Sequence, residues 1–475
     1  MEFQTNRSIY QNLSPLDHRY YLSNLEAFEG LAGYLSEDAN IRYLVRVEGA
    51  LLRAHLRLRG EPAPAELDAV ESAVSPAEVY EEEEKTQHNI RALVNVLKRH
   101  VPRNLWSLVH AGATSADILD TANSLRIRDA VRGVVLPRLG GLVDFLADFT
   151  EKYAQTPQVG RTHGQHAVPI TVGYWMAEFV SRLGKSFVEI DRLAGNLRGK
   201  LSGAVGAYNA TSLMAPDPWE FEKIFCGYLG IEPSEYSHQL VEPEYLLRLL
   251  LEINTAFGII ANLADDLRNL QRSEIGEVRE EFGAAQVGSS TMPQKRNPWN
   301  SEHVKSLWKA FSPRVMSFYM DQISEHQRDL TNSASSRFVG EYIAGFTAAV
   351  CRMFKVVKSL NVNTKNLERN LASGGDMVLA EAAYILLARG GESEGHEKIR
   401  LATLAAEKNN TSLREELKKD AGLWKCIEAG LAQALPGLSA EDFFSKPHLY
   451  CGKAREKALS LAGRYKTIVR DYRHG

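Results

Sequence analysis

The chain has 475 residues, enough for two to four domains and a sizeable core. Hydrophobic residues make up 44% and charged residues 24%, and a formal charge of −3 with both signs interspersed argues against nucleic acid or a membrane surface as partner. The four cysteines, Cys226, Cys351, Cys426 and Cys451, are widely separated and lack metal-ligand spacing, so reduced thiols are expected, with no disulfide framework, metal or organic cofactor.

The N-terminal stretch "MEFQTNRSIYQNLSPLDHRY" lacks the basic start and apolar core of a signal peptide, and no apolar run approaches the ~20 residues of a membrane span. A cytoplasmic protein is therefore expected. A first domain of mixed and helical character is expected over 1–111, with a connector at "GEPAPAE" and a solvated acidic run from Glu81 to Glu84. A central domain is expected over 112–363. Proline costs about 3 kcal/mol inside a helix, and none occurs between Pro169 and Pro216, Pro243 and Pro293, or Pro313 and Pro436. Long helices are predicted at roughly 116–153, 170–200 and 300–327, and most clearly at "EYLLRLLLEINTAFGIIANLADDLRNL". There Leu246, Leu250, Ile253, Phe257, Ile260, Ala264 and Leu267 follow alternating steps of four and three, the seam of helices packed at a shallow angle. Leu247, Leu249, Leu251 and Ile259 widen that stripe, which predicts a bundle completed by other subunits. Shorter helices punctuated by Gly, Asn and Pro are expected over 364–475. Strand-like alternation is sparse, so the fold should be mainly α.

Three polar segments interrupt this helical chain. "HAGATSADILDTANSL" sets Thr114, Ser115 and Asp117 just before a helical pattern, where hydroxyls and unpaired backbone N–H groups suit a carboxylate or phosphate and also suit simple N-capping. "GRTHGQHAVPITVG" puts His163 and His166 in a Gly-bounded loop entering the next helix. "GSSTMPQKRNP", residues 288–298, gathers hydroxyls, Lys295, Arg296 and Asn297 where no helix can continue, the kind of loop on which chemistry is usually carried.

These segments resemble the three signature regions of the fumarase/aspartase superfamily. "GSSTMPQKRNP" fits its Gly-Ser-Ser-x-Met-Pro-x-Lys-x-Asn-Pro loop at every fixed position, and "TSAD" and "THGQ" follow the family order. Within the superfamily the chain is most similar to the adenylosuccinate lyase family: "SPLDHRY", "TQHN", "GAVGAYNA" and "QRDLTNSASSR" resemble further elements of that family, and "YCGKA" its ending.

The resemblance implies a three-domain, fumarase/aspartase-like fold with a central long-helix bundle, assembled as a homotetramer with active sites shared between subunits. It implies β-elimination of fumarate from adenylosuccinate, giving AMP, and from succinyl-aminoimidazole carboxamide ribotide, small-molecule nucleotide substrates handled without nucleic acid, membrane, metal or cofactor. By resemblance, Ser289 is the base, His163 the general acid, Lys295 and Asn297 stabilise the carbanion and carboxylate, and His88 with Asn89 orients substrate. Thr114 and Ser115 would hold a succinyl carboxylate. Arg328, Ser333 and Arg337 would clamp the nucleotide phosphate, with Arg19 and Tyr20 from the N-terminal segment, and Gln239 would also bind substrate. Asn89 stands where the family usually has aspartate, and His166 where many relatives have proline. A superfamily lyase with another leaving group (argininosuccinate lyase, aspartase or fumarase) and a lyase-fold structural protein without turnover remain as alternatives.

Overall fold

A computed structural model describes residues 8–281, 291–292 and 294–474. The chain is mainly α and packs as two compact units. The first comprises Met1–Gly140, Lys185–Ala261 and Val304–Arg352; the second comprises Gly141–Gly184, Asn262–His303 and Met353–Gly475.

In the first unit the 22-residue helix Glu37–Leu58 starts where the Ser36 hydroxyl accepts the Ala39 N–H at 3.1 Å. Its Val45, Val47, Leu51 and Leu52 are fully buried, packed with helices Ser115–Ala130 and Pro218–Leu229 in one core. Arg126 closes the end of helix Leu25–Leu35, its guanidinium donating to the Tyr34 and Leu35 carbonyls at 3.1 and 2.8 Å. The expected helix at 116–153 spans Ser115–Ala130, a π-turn Val131–Val135 and Leu136–Lys152. Pro137 explains the wider turn: it has no N–H for the carbonyl of Gly133, and its ring would crowd that group in a regular helix.

Helix Glu244–Leu270 carries the predicted seam, with Leu250, Ile253, Phe257, Ile260 and Ala264 fully buried and Leu246 only half-buried at the helix start. By length and composition this helix could cross a bilayer, contrary to the expectation from uninterrupted apolar runs, because such a span tolerates a few charges. Its most apolar stretch is 56% buried within the chain itself. The expected helix at 170–200 is Val172–Gly195, and that at 300–327 is divided into Trp299–Phe311 and Val315–Met320 by a tight turn holding Pro313.

In the second unit Gly184 lets helix Val172–Gly195 meet Tyr465 of the last helix, Ala454–His474; a Cβ there would lie 2.2 Å from the ring. A satellite core of Leu379, Leu386, Leu387, Ile427 and Phe443 organises the C-terminal helices. Asp376 anchors one of them by accepting the Leu413 and Arg414 N–H groups at 2.9 and 2.8 Å. Among the described residues, strands occur only as three two-stranded pairs. Two lie in this unit, both antiparallel: Pro157–Thr162 with Gln165–Thr171, and Val278–Glu280 with Leu360–Val362.

Candidate active site

The site residues expected from sequence divide between the units. Arg19, Tyr20, His88, Asn89, Thr114, Ser115, Gln239, Arg328, Ser333 and Arg337 belong to the first; His163, Lys295 and Asn297 belong to the second. Ser289 lies outside the described residues.

In the first unit, Thr114 and Ser115 open helix Ser115–Ala130, both half-buried. Asp117, fully buried, accepts the Thr114 N–H at 2.7 Å, the Ser202 N–H at 3.1 Å and the Gly203 N–H at 3.3 Å, and pairs with the fully buried Lys200. One carboxylate thus ties the Thr-Ser-Ala-Asp segment to the glycine-rich loop at 203–210. Gly206 in that loop has φ +76° and passes so close to Ser237 that a Cβ would fall 1.8 Å from the Ser237 carbonyl oxygen, so only glycine fits. Ser202 and Ser237 share a hydroxyl hydrogen bond of 2.6 Å, and the Val241 N–H reaches Asp120 at 3.0 Å. Burial pushes the Asp120 carboxyl up to about 6, against the Val241 hydrogen bond and the charges of Lys200 and Arg328.

The Gln239 N–H donates to the Gln327 carbonyl at 3.3 Å, which sets Gln239 beside the segment carrying Arg328. A cavity of about 550 Å³ opens here between residues 205–207, Tyr236 and Ser237, and His326 and Gln327. Asp329 folds the adjoining turn, accepting the Glu325 N–H at 3.0 Å and the Thr331 N–H and hydroxyl at 2.9 and 2.5 Å. Arg328 is half-buried. Its Nη2 donates to the neutral Asn332 amide at 3.1 Å, its buried Nε has no partner, and it pairs with no carboxylate among the described residues. Ser333 and Arg337 are exposed on the same segment. The Ser14 hydroxyl donates to Glu341 at 3.3 Å, and Glu341 also takes Arg314, so the stretch leading to Arg19 and Tyr20 is fastened just beyond Arg337.

His88 and Asn89 form an exposed junction between helices. The His88 Nδ1 accepts the Arg91 N–H at 3.2 Å and the Asn89 side-chain oxygen accepts the Ile90 N–H at 2.8 Å, so both cap the helix Asn89–His100. Sequence reasoning passed over His110. It adopts φ +60° just ahead of Thr114 and bonds through Nδ1 to the buried Glu48 at 2.6 Å. Burial opposes protonation of this imidazole, but the hydrogen bond and charge of Glu48, with Asp117 beyond, outweigh it and raise its pKa above the ordinary histidine value.

In the second unit the His163 segment is not a loop but a β-hairpin. Thr162 pairs with Gln165, which leaves His163 and Gly164 as a two-residue turn with φ values of +54° and +75°. Positive φ at both positions is the type I′ geometry that favours Asn-Gly, and a histidine there is strained. The strain presents an imidazole at an exposed tip. The stem is fixed by Arg161, whose guanidinium grips the buried Glu277 at 2.6 and 3.1 Å. Partial desolvation first and the Arg161 charge second hold His166 below its ordinary pKa, with Glu277 opposing. Lys295 is exposed, its N–H donating to the Met292 carbonyl at 3.0 Å, and Asn297 is half-buried ahead of helix Trp299–Phe311.

Residues 65–311 match the lyase family model, and residues 324–437 match the model for the adenylosuccinate lyase C-terminal region. The adenylosuccinate lyase of Archaeoglobus fulgidus is 35% identical over 451 residues, covering 93% of this chain and 96% of the relative. The chain belongs to the adenylosuccinate lyase family. That of Pyrococcus abyssi is 33% identical, covering 93% of this chain and 95% of its own. Among solved structures, fumarate lyase from a Mesorhizobium species superposes with a TM-score of 0.76 over 92% of this chain and 97% of that one, at 23% identity. The 3-carboxy-cis,cis-muconate lactonizing enzyme of Pseudomonas putida gives 0.74 over 94% and 97%, also at 23%. These neighbours share the fumarase/aspartase fold expected from the sequence.

Proposed function

We infer that the chain eliminates fumarate from adenylosuccinate, leaving AMP, and from succinyl-aminoimidazole carboxamide ribotide, leaving aminoimidazole carboxamide ribotide. Beside family membership, the observation that carries this reading is Arg328, a guanidinium with a buried, unpartnered Nε and no direct ion pair to a carboxylate among the described residues, although the Asp120 and Asp329 carboxyls feel its charge. Such a cation suits a phosphate dianion, which aspartate, malate and argininosuccinate lack.

The difficult step is removal of a weakly acidic C–H proton beside a carboxylate. Ser289, as an alkoxide supported by the charge of Lys295, takes that proton. The electron pair spreads into the neighbouring carboxylate, where Lys295, Asn297 and backbone N–H groups meet the charge. The C–N bond then breaks, fumarate forms, and His163 donates a proton to the departing nitrogen. Thr114 and Ser115 hold a succinyl carboxylate at their helix start, His88 and Asn89 orient the substrate, and Gln239 binds it from beside the Arg328 segment. Arg328, Ser333 and Arg337, with Arg19 and Tyr20, take the phosphate.

The same reading gives a cytoplasmic homotetramer with sites shared between subunits and domains at 1–111, 112–363 and 364–475. In support, Met316, Met320, Ile323, Leu330 and Phe338 are 52–75% exposed around the Arg328 segment, an apolar surface that a second subunit would cover. The test is ultraviolet-monitored turnover with adenylosuccinate, argininosuccinate, aspartate and malate in parallel. Fumarate and AMP should appear from adenylosuccinate alone, and Ser289→Ala should lower the rate at least ~10²-fold. Turnover of one of the other three compounds instead would discard the phosphate reading, and a monomeric mass by light scattering would discard the shared sites.

A further inference from the structure

Two buried carboxylates stand three residues apart on one short segment, Glu277 fully buried and Glu280 2% exposed. Glutamate is disfavoured in strands, and strand Val278–Glu280 with the residue ahead of it would ordinarily present apolar side chains to a core. Each carboxylate instead collects four donors. The Glu277 oxygens accept from Arg161 Nη2 and Nη1 at 2.6 and 3.1 Å, Gln158 Nε2 at 2.8 Å and Asn370 Nδ2 at 2.9 Å. Gln158 and Arg161 belong to the strand that ends one residue before His163.

The Glu280 oxygens accept from the Asn300 N–H and side-chain amide at 3.3 and 3.1 Å, and from the Ser301 N–H and hydroxyl at 2.9 and 2.6 Å. That binds the first turn of helix Trp299–Phe311, three residues beyond Asn297. The backbone adds a second tie. The Glu280 N–H donates to Gln271 Oε1 at 2.8 Å, and Gln271 Nε2 donates to the Arg296 carbonyl, between Lys295 and Asn297, at 3.1 Å. The strand Val278–Glu280 is itself held in register against Leu360–Val362.

We propose that Glu277 and Glu280 are positioning residues for the elimination, Glu277 fixing the hairpin that carries His163 and Glu280, with Gln271, fixing the stretch that carries Lys295 and Asn297. This rests on the inferred reaction only for the roles of those three side chains. Neither carboxylate touches substrate. His163 stands exposed on a strained turn and Lys295 exposed beside the half-buried Asn297, and a segment of four residues gives them one rigid reference.

The test compares the full chain with Glu277→Gln, Glu280→Gln and Gln271→Ala. A glutamine at 277 or 280 keeps the shape but turns one acceptor into a donor facing donors. With adenylosuccinate, kcat per folded site should fall at least ~10-fold in each, while KM and the Kd for AMP stay within about twofold, because the phosphate-binding residues are untouched. Amide hydrogen exchange should rise at 295–302 in Glu280→Gln and Gln271→Ala, and at 158–166 in Glu277→Gln. Gln271→Ala removes no buried charge and remains informative where the carboxylate variants fold poorly. Unchanged kcat per folded site or unchanged exchange at 295–302 overturns the role of Glu280 when seen in Glu280→Gln and that of Gln271 when seen in Gln271→Ala; the same results at the hairpin in Glu277→Gln overturn that of Glu277. A wild-type chain that releases no fumarate refutes the inferred reaction, and the exchange comparison still decides the positioning roles.

Discussion

Replacing Arg328 with alanine separates a ligand-binding cation from a structural one. Arg328 gives the fold one described hydrogen bond, to the neutral Asn332 amide, and buries an Nε that finds no partner. The turn around it is held by Asp329 through the Glu325 and Thr331 groups, none of which involves the guanidinium. Loss of one hydrogen bond from a charged guanidinium to a neutral amide costs about 1.5–3 kcal/mol, and removal of an unsatisfied buried N–H offsets part of it, so the thermal midpoint should move by only a few degrees. Loss of a bidentate, charge-assisted contact to phosphate costs about 3 kcal/mol, which at 1.4 kcal/mol per decade weakens AMP binding roughly 100-fold. Phosphate is held alike in ground and transition states, so KM should rise with much less change in kcat. Arg328→Lys keeps the charge without the fork and should fall between. Calorimetric titration with AMP beside steady-state kinetics measures both quantities. A Kd for AMP within twofold of wild type would refute the phosphate assignment, and a large fall in thermal midpoint with unaltered binding would mark Arg328 as structural.

His163→Asn should split stability from activity, because asparagine is favoured at the first position of a type I′ turn: the thermal midpoint should hold or rise slightly while turnover falls at least ~10²-fold, and near-normal turnover would remove His163 from the mechanism. Asp120 has its carboxyl pushed up to about 6, so the folded chain binds the extra proton between pH ~3.8 and 6 and loses stability as pH rises through that window. Asp120→Asn keeps an acceptor for Val241, should flatten that slope and should raise the midpoint at pH 7 relative to wild type; parallel curves would refute the assignment. His110 has the opposite charge logic, its raised pKa contributing stability that is complete below the ordinary value of 6.5 and lost as pH rises through the folded value. Urea midpoints of Glu48→Gln should therefore fall below wild type most at pH 5.5–6.5 and converge toward pH 9, whereas a constant gap would show that the pair acts only through packing.

The bundle was legible because its helices declare themselves locally. The seam from Leu250 to Leu267 repeats at three and four, proline-free stretches leave room for it, and those residues are buried as expected. The misreadings have local causes too. Pro313 breaks the helix expected at 300–327, and the π-turn before Pro137 leaves no mark on an apolar stripe already wide. The hairpin at 157–171 was missed because "PQVGRT" and "QHAVPIT" are short, contain proline and alternate weakly, so a helical context dominated the reading. One signal was present: His-Gly can occupy a two-residue turn as Asn-Gly does, and the segments on either side can pair.

The polar residues that sequence singled out and those it passed over differ in a physical way. His163, Lys295, Ser333 and Arg337 stand exposed, where a residue type in a loop is readable. Asp117, singled out only as part of its segment, and Glu277 and Glu280, which were passed over, are buried, and their meaning lies in partners far along the chain: Asp117 with Lys200, Glu277 with Arg161, and Glu280 with Ser301. Removing one partner leaves an uncompensated buried charge and costs several kcal/mol, whereas well-packed apolar side chains in place of a buried ion pair are often as stable or more so, so stability alone does not call for these acids. Their donors are backbone N–H groups and side chains of the segments that carry the candidate chemistry, at Thr114, at the His163 hairpin and at the Asn297 stretch. An exposed reactive group gains precision only from what fixes its backbone. In this chain that fixing is done by carboxylates turned away from solvent, and a sequence read one segment at a time cannot pair them.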